Sequence, residues 1–175
     1  VLGQLYQLQG DKKAARHAYE KVLKLQPDSE MDFNTRLQLA QLEASPMAAV
    51  TLLTKMAKQD KNKDRLDQIY GTLGDILLAQ GDTTKALEYY AKGIEGSTKN
   101  GMSKATALIT AGDIYYQQRD YVSASPCYKE ASQILTVQHE DYKRIQRRSE
   151  TLDALVVEYS TVQLQDSLQQ LATLS

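Results

Sequence analysis

Few side chains in this sequence are of the types that carry nucleophilic or metal chemistry. The candidates are the single cysteine, Cys127, and the two histidines, His17 and His139. A cysteine nucleophile needs an imidazole within hydrogen-bond reach, and a zinc site needs several ligands converging on one point. One cysteine excludes cysteine-based zinc clusters and internal disulfides, so catalysis would depend on a fold that brings Cys127 to a histidine.

One glycine-containing segment, Gly81-Asp82-Thr83-Thr84-Lys85, is similar to a phosphate-binding loop. It lacks the second glycine that precedes the lysine in such loops. The segment Gly10-Asp11-Lys12-Lys13 repeats its pattern elsewhere in the chain. We therefore interpret both segments as turns. No motif in the sequence predicts a nucleotide site, a metal site or any other cofactor.

The most basic stretch of the chain runs from Tyr142 to Arg148. On a helix, Lys143 lies beside Arg147 and Arg144 lies beside Arg148, which forms a basic stripe. Such a stripe could bind a phosphate backbone or an acidic protein, or form a solvated face balanced by nearby carboxylates. We favour the solvated face. The net charge of the chain is only -1, which argues against a protein that coats nucleic acid.

The composition indicates a helical globular domain. Hydrophobic residues make up 42% and charged residues 25% of the 175 residues, as is typical of globular domains. Nine glycines and three prolines are few for this length, which favours long helices over the turn-rich strands of a sheet. No apolar run reaches the roughly 18 residues that suggest a transmembrane helix.

Three segments repeat one pattern of small and aromatic residues. In each, an alanine follows a glycine by 12 residues and a tyrosine follows that alanine by 4. The three sets are Gly3-Ala15-Tyr19, Gly74-Ala86-Tyr90 and Gly112-Ala124-Tyr128. A glycine inside a helix costs roughly 1 kcal/mol, which is tolerated where another helix packs against the bare backbone. We therefore predict helical hairpins in which the alanine faces the glycine and the tyrosine fills the gap beside the next hairpin.

The residues between the predicted helices are suited to turns and caps. In Gly10-Asp11 and Gly81-Asp82, the glycine can adopt a positive φ and the aspartate can cap the helix that follows. A degenerate hairpin lies between the first two sets, and Pro46 fits the first turn of its second helix. The polar residues 59–64 are predicted to form a loop.

These residues resemble the tetratricopeptide repeat, whose consensus has small and aromatic residues at this spacing. The resemblance implies an all-α superhelix of about five antiparallel helical hairpins. We expect repeats over residues 1–136 and an atypical hairpin over 137–175, in a segment of a longer protein. The four repeat hairpins are expected at about 1–27, 30–58, 64–96 and 101–136. Because each repeat contacts only its neighbours, His17 and Cys127 should not meet, and we expect no enzyme.

Residues 2–13, 55–70 and 162–168 contain stretches that lie outside the repeat consensus. They are similar to the repeat region of the SprE/PorW lipoproteins of the type IX secretion and gliding apparatus of Bacteroidetes. The resemblance implies an internal segment of an outer-membrane lipoprotein that faces the periplasm and links components of the secretion machinery. Its lipid anchor would lie outside this segment, because Cys127 falls inside a predicted helix. The segment itself is expected to make no membrane contact.

Counting from the repeat glycines predicts a concave binding face built from the first helix of each hairpin. Asp75 and Asp113 occupy equivalent repeat positions, and Tyr116 offers a large aromatic contact beside Asp113. The predicted protein-binding residues are Gln68, Asp75, Leu78, Thr106, Ile109, Asp113, Tyr116 and Gln117. Two carboxylates along one wall favour a partner segment that carries lysine or arginine beside apolar anchors.

Two rival functions stay open. A cytoplasmic co-chaperone-like adaptor would grip acidic peptide tails, which requires lysine, arginine and asparagine on the first helices. The carboxylates at Asp75 and Asp113 disfavour that adaptor. An enzyme using histidine or cysteine is disfavoured by the separation of those residues. We expect protein partners and no nucleic acid.

Overall fold

A computed structural model of the chain describes the backbone of residues 2–173 and the side chains of residues 2–158. Within this backbone every regular element is helical and no strand occurs, which confirms the all-α prediction. The α-helices are α1 (Leu2–Leu8), α2 (Lys12–Lys24), α3 (Ser29–Gln41), α4 (Pro46–Ala57), α5 (Leu66–Ala79), α6 (Thr83–Glu95), α7 (Met102–Gln117), α8 (Tyr121–Ile134) and α9 (Tyr142–Thr173). A short 3-10 helix, Asp60–Arg65, lies between α4 and α5.

The chain forms two compact units. Unit 1, Val1–Gly96, contains the hairpins α1–α2, α3–α4 and α5–α6, and unit 2, Ser97–Ser175, contains α7, α8 and α9. The division falls inside the predicted repeat domain 1–136 instead of after residue 136. The reason is that α9 packs closely on α8, so the fourth hairpin and the C-terminal helix form one body.

Aspartate caps begin the second helix of three hairpins, as the sequence predicts for two of them. The carboxylate of Asp11 accepts the backbone N–H of Ala14 at 2.9 Å, and Asp120 accepts that of Ser123 at 3.1 Å. Asp82 does the same at the start of α6. The glycines before Asp11 and Asp82 have φ values of 77° and 80°, in the left-handed region where glycine is favoured. Both short turns therefore have the predicted glycine with positive φ and the predicted aspartate cap.

The repeat glycines are covered by the tyrosine of the same hairpin. The nearest atoms to the space beside Gly3 belong to the ring of Tyr19, and those beside Gly74 belong to the ring of Tyr90. The tyrosine, which the sequence predicts to fill the gap beside the next hairpin, is therefore the nearest neighbour of the glycine, and the facing of alanine and glycine stays a prediction. A tyrosine ring is long enough to reach across to the facing helix, where the missing side chain of glycine leaves room for it. Ala86 is fully buried.

The core of unit 1 joins the second and third hairpins. It contains Phe33, Leu37, Ala40, Leu53, Met56, Ile69 and Leu73. The segment predicted as a polar loop is mostly the 3-10 helix, and Asn62 within it is only 4% exposed. The Asn62 side-chain amide donates to the carbonyl of Met56 at 2.8 Å, which satisfies a carbonyl near the end of α4. One polar side chain thus anchors this segment.

The C-terminal segment differs from the predicted hairpin. The structure has one continuous helix, α9, from Tyr142 to Thr173, in place of two helices and a turn. No glycine or proline occurs in this range, so nothing in the sequence ends the helix. Ile145 and Leu152 are buried on its inner face. The predicted helix over residues 161–172 is part of α9, and its side chains lie outside the described residues.

Candidate protein-binding surface

The predicted concave residues differ in how accessible they are. In unit 1, Asp75 is exposed, and Gln68 and Leu78 are half-buried. In unit 2, Thr106, Tyr116 and Gln117 are exposed and Asp113 is half-buried. Ile109 is only 8% exposed, which leaves little of its side chain for a partner to contact.

Asp113 is the centre of a polar cluster that joins all three helices of unit 2. Its Oδ1 accepts the hydroxyl of Tyr128 on α8 at 2.6 Å. From α9, Arg144 donates to both carboxylate oxygens at 2.8 and 3.0 Å, and Arg148 donates to Oδ1 as well. Arg148 also donates to the Tyr128 hydroxyl oxygen at 2.7 Å. Asp113 is therefore neutralised within the chain and is not an open carboxylate for a cationic partner.

Asp75 makes the same bond to a tyrosine but has no arginine. The hydroxyl of Tyr90 on α6 donates to Asp75 Oδ1 at 2.7 Å. No described lysine or arginine forms an ion pair with Asp75. Although the residue as a whole is exposed, its carboxyl group lies against the buried Tyr90, and this burial raises the pKa of Asp75 while the Tyr90 bond opposes the rise.

Both tyrosines remain protonated donors at neutral pH. Burial raises the pKa of Tyr90, and the neighbouring Asp75 carboxylate raises it further. Burial and the Asp113 carboxylate likewise raise the pKa of Tyr128, against the opposing effect of Arg148. For Arg144, burial acts to lower the pKa, but the bonds to Asp113 and Asp141 outweigh it and the pKa is raised. Each of these groups keeps the charge state that its hydrogen bonds need.

An exposed surface on unit 2 combines aromatic, aliphatic and cationic side chains. Tyr116 is 37% exposed, and the guanidinium of Arg148 stacks over its ring at 4.5 Å from the centroid. Tyr121 meets Tyr116 edge to face, with the ring centroids 5.5 Å apart. These residues line a cleft of about 270 Å³ between α7, α8 and α9, with Arg147, Thr151, Leu152 and Leu155. We call this cleft and its rim the α7–α9 surface.

The basic stretch divides into two pairs with different roles. Arg144 and Arg148 turn inward to Asp113, so they hold α9 against the hairpin. Lys143 and Arg147 are exposed, and neither makes an ion pair with any described residue. The sequence predicts that all four side chains form one solvated face. The spacing of Arg144 and Arg148 marks one inward face of a helix, but their target is 31 or more residues away in sequence and no local pattern points to it.

The side chains that could carry chemistry are spread over both units. His17 belongs to unit 1, while Cys127 and His139 belong to unit 2. The Cys127 thiol donates to the carbonyl of Ser123, one turn earlier on α8, at 3.4 Å. Among the described residues, no group of three or more histidine, cysteine, aspartate or glutamate side chains is placed to hold a metal ion. Within the same residues, no helix has the length and hydropathy needed to span a bilayer.

Comparisons with known proteins identify the repeat. Residues 65–136 and residues 1–29 match family models of the tetratricopeptide repeat. A comparison with curated proteins gives no match.

Two solved structures have a similar fold. The crystal structure of BtubC (BKLC) from P. vanneervenii matches with a TM-score of 0.66 at 18% identity, over 93% of this chain and 73% of that chain. The crystal structure of MamA matches with a TM-score of 0.56 at 21% identity, over 97% of this chain and 96% of that chain. At such low identities the similarity concerns the fold.

Proposed function

We propose, from the tetratricopeptide repeats that this chain contains at residues 1–29 and 65–136, that it is a non-catalytic scaffold for protein–protein interaction. Repeats of this kind stack into extended surfaces that bind other proteins. The α7–α9 surface carries the proposal. It places an exposed aromatic ring, a cleft and the exposed guanidinium of Arg147 side by side, which is the composition of protein-interface hot spots.

The α7–α9 surface fits a partner that presents an apolar side chain next to a carboxylate. Tyr116, Tyr121 and Leu155 supply apolar walls for the side chain. Arg147 on the rim supplies a guanidinium, which can donate two parallel hydrogen bonds to a carboxylate of the partner. Arg148 is already bonded to Asp113 and Tyr128, so it contributes the rigid wall of the cleft and no free charge.

A chemical cross-linking experiment in cells tests the scaffold proposal. Mass spectrometry would identify the proteins cross-linked to the wild-type protein and to the double variant Tyr116→Ala with Arg147→Glu. Lys21→Glu, an equal charge reversal at an exposed position of α2, is the matched control. We expect one partner to disappear from the double variant and to remain in the control. A partner captured equally by all three proteins would exclude the α7–α9 surface.

We further propose that the protein is an outer-membrane lipoprotein facing the periplasm, which links components of the type IX secretion and gliding machinery. The support is the similarity of residues 2–13, 55–70 and 162–168 to the SprE/PorW family. Membrane fractionation and labelling with a radioactive fatty acid test the lipid anchor. The secretion role predicts that deleting the gene leaves cargo proteins in the periplasm. A protein found only in the cytoplasm would favour the adaptor alternative.

A further inference from the structure

A groove in unit 1 lies between α1, α2 and α3. It has a volume of about 490 Å³, and the described residues that line it belong to the first two hairpins. Its buried lining includes Tyr19 of α2 and Leu37 of α3, which are 6% and 7% exposed. Its exposed rim includes Gln4 on α1 and Asn34 on α3. We call it the α1–α3 groove, and none of the residues that the sequence predicts as protein-binding lines it.

Three side-chain amides around the α1–α3 groove have no hydrogen-bond partner among the described residues. They belong to Gln4, Asn34 and Gln38. By contrast, the amide oxygen of Gln7, on the same helix as Gln4, accepts the hydroxyl of Tyr19 at 2.6 Å and so joins α1 to α2. A side-chain amide has both donors and an acceptor, as a peptide group has. The three amides can therefore bind the main chain of another segment.

The spacing of two of these amides suits an extended chain. Asn34 and Gln38 are four residues apart on α3, so they lie on one face with their Cβ atoms about 5–6 Å apart. In an extended segment every second peptide group points the same way, which gives a repeat of about 6.6 Å. A helix would not suit the amides as well, because its peptide groups already bond to one another. The geometry therefore favours an extended occupant.

The charged side chains that line the α1–α3 groove are both carboxylates, and no described lysine or arginine lines it. The carboxylate of Asp28 accepts the backbone N–H of Met31 at 2.8 Å and caps α3. Glu30 is exposed and forms no ion pair or hydrogen bond with a described residue. Met31 is 51% exposed, and its flexible side chain adapts to apolar groups of different shapes. The groove is therefore complementary to a segment that carries a cation beside an apolar side chain.

We propose that the α1–α3 groove binds an extended, cationic segment of a protein partner. The main chain of this segment pairs with Asn34 and Gln38. Its lysine or arginine lies beside Glu30, and an apolar side chain next to it packs on Met31. This proposal rests on the proposed scaffold function and adds a second site, in unit 1. The second site prefers a cation, whereas the α7–α9 surface fits a carboxylate, so the two bind different segments.

The probe is a blocked seven-residue peptide in which lysine, leucine and lysine alternate with alanine. In its extended form the three long side chains lie on one side. It would be titrated at low salt into the isotope-labelled full chain, with amide shifts followed by NMR. We expect shifts at Met31, Asn34 and Gln38. The same peptide with glutamate in place of lysine should not bind.

Two N-methylated forms of the peptide test whether its main chain is recognised. One form is methylated at the alanine nitrogens and the other at the lysine and leucine nitrogens, so each removes the donors on one edge of the extended chain. Only one edge can face the amides of the groove. We therefore expect one form to bind about fivefold more weakly and the other to bind like the parent peptide. Equal affinity of the two forms would overturn main-chain recognition.

Two substitutions test the groove itself. Gln38→Ala should weaken the peptide about threefold to tenfold, as expected for one lost hydrogen bond. Gln41→Ala removes an exposed amide of the same helix that does not line the groove, so the affinity should stay unchanged. Glu30→Lys should weaken the lysine peptide and strengthen the glutamate peptide. A variant that failed to fold would bind neither peptide, so this reversal depends on the charge beside the groove.

The same affinity in wild type and Gln38→Ala, or the absence of shifts at Met31 and Asn34 with millimolar peptide, would overturn the proposal. The cellular cross-linking experiment separates this failure from a failure of the scaffold function. If the peptide does not bind while the Tyr116 and Arg147 variant still loses its partner, only the α1–α3 groove fails.

Discussion

The ring of Tyr90 lies directly against the backbone of Gly74, inside a single hairpin. A methyl group added at Gly74 would overlap the ring, whose Cδ1 and Cζ lie 2.7 Å from the position of the added carbon. The hydroxyl of the same ring is held by Asp75 at 2.7 Å, so the ring is fixed at both its face and its tip. This contact makes glycine necessary at a position where helix propensity alone would favour alanine.

We predict that Gly74→Ala destabilises the protein by about 1–3 kcal/mol, because the fixed ring has to move. Gly71→Ala, one turn earlier on the same helix, is the matched control. Apart from its chain neighbours and the backbone of its own helix, no heavy atom lies within 4 Å of a methyl group at Gly71, so this change should stabilise the protein by up to about 1 kcal/mol. Urea denaturation measures both free energies of unfolding. Equal effects at the two sites would show that Tyr90 does not cover Gly74.

Asp113 is predicted to contribute more to stability than its repeat counterpart Asp75. Asp113→Asn leaves Arg148 without a carboxylate and Arg144 with Asp141 alone, and we expect a loss of about 1–3 kcal/mol, moderated by the partial exposure of the group. Asp75→Asn removes only the charge of the acceptor of one tyrosine hydroxyl, so its loss should be smaller. Calorimetric unfolding of the two variants checks this order. A larger loss for Asp75→Asn would contradict the cluster described in unit 2.

The pH dependence of stability should have opposite signs at Asp75 and Asp32. Burial raises the folded-state pKa of Asp75 above 3.8, so the folded state binds its proton more tightly than the unfolded state. The difference in free energy of unfolding between wild type and Asp75→Asn therefore favours wild type most at low pH. This advantage is lost as the pH rises through the pKa that Asp75 has in the folded state. The bond from Arg36 lowers the pKa of Asp32. The advantage of wild type over Asp32→Asn in free energy of unfolding is therefore present above the pKa that Asp32 has in the unfolded state. It is lost as the pH falls through the pKa that Asp32 has in the folded state.

Urea denaturation of wild type and both variants between about pH 3 and pH 7 measures these differences. We expect the two difference curves to slope in opposite directions. Parallel curves would show that one of the two carboxyl groups has an environment other than the one described.

Cys127 is predicted to be a poorly reactive thiol. Burial and, as a smaller cause, the nearby Glu130 carboxylate together raise its pKa to about 11, so little thiolate exists at neutral pH. A chromogenic disulfide reagent at pH 8 should therefore modify the folded protein much more slowly than the protein unfolded in urea. Similar rates in both states would show that the thiol is exposed and activated.

Much of the local structure follows from short-range sequence signals. Asp11 and Asp82 sit where a turn glycine ends one helix and the next begins, and their carboxylates reach backbone groups three residues away. Pro46 starts α4, where its missing N–H costs nothing. Such features are readable because the interacting groups are neighbours in the chain. The repeat spacing likewise predicts the four hairpins, because the positions of the small and aromatic residues indicate which face of each helix is buried.

The tertiary structure decided what those faces touch. The spacing places alanine and tyrosine on the same side of a helix, and only the packing distance between helices shows that the Tyr90 ring covers Gly74. The sequence also presents Asp75 and Asp113 as equals. Only the tertiary structure reveals that α9 supplies two arginines to Asp113 and that no described cation pairs with Asp75. Side chains far apart in sequence come into contact through the packing of whole helices. A short sequence pattern contains no information about how those helices pack, so it cannot predict such contacts.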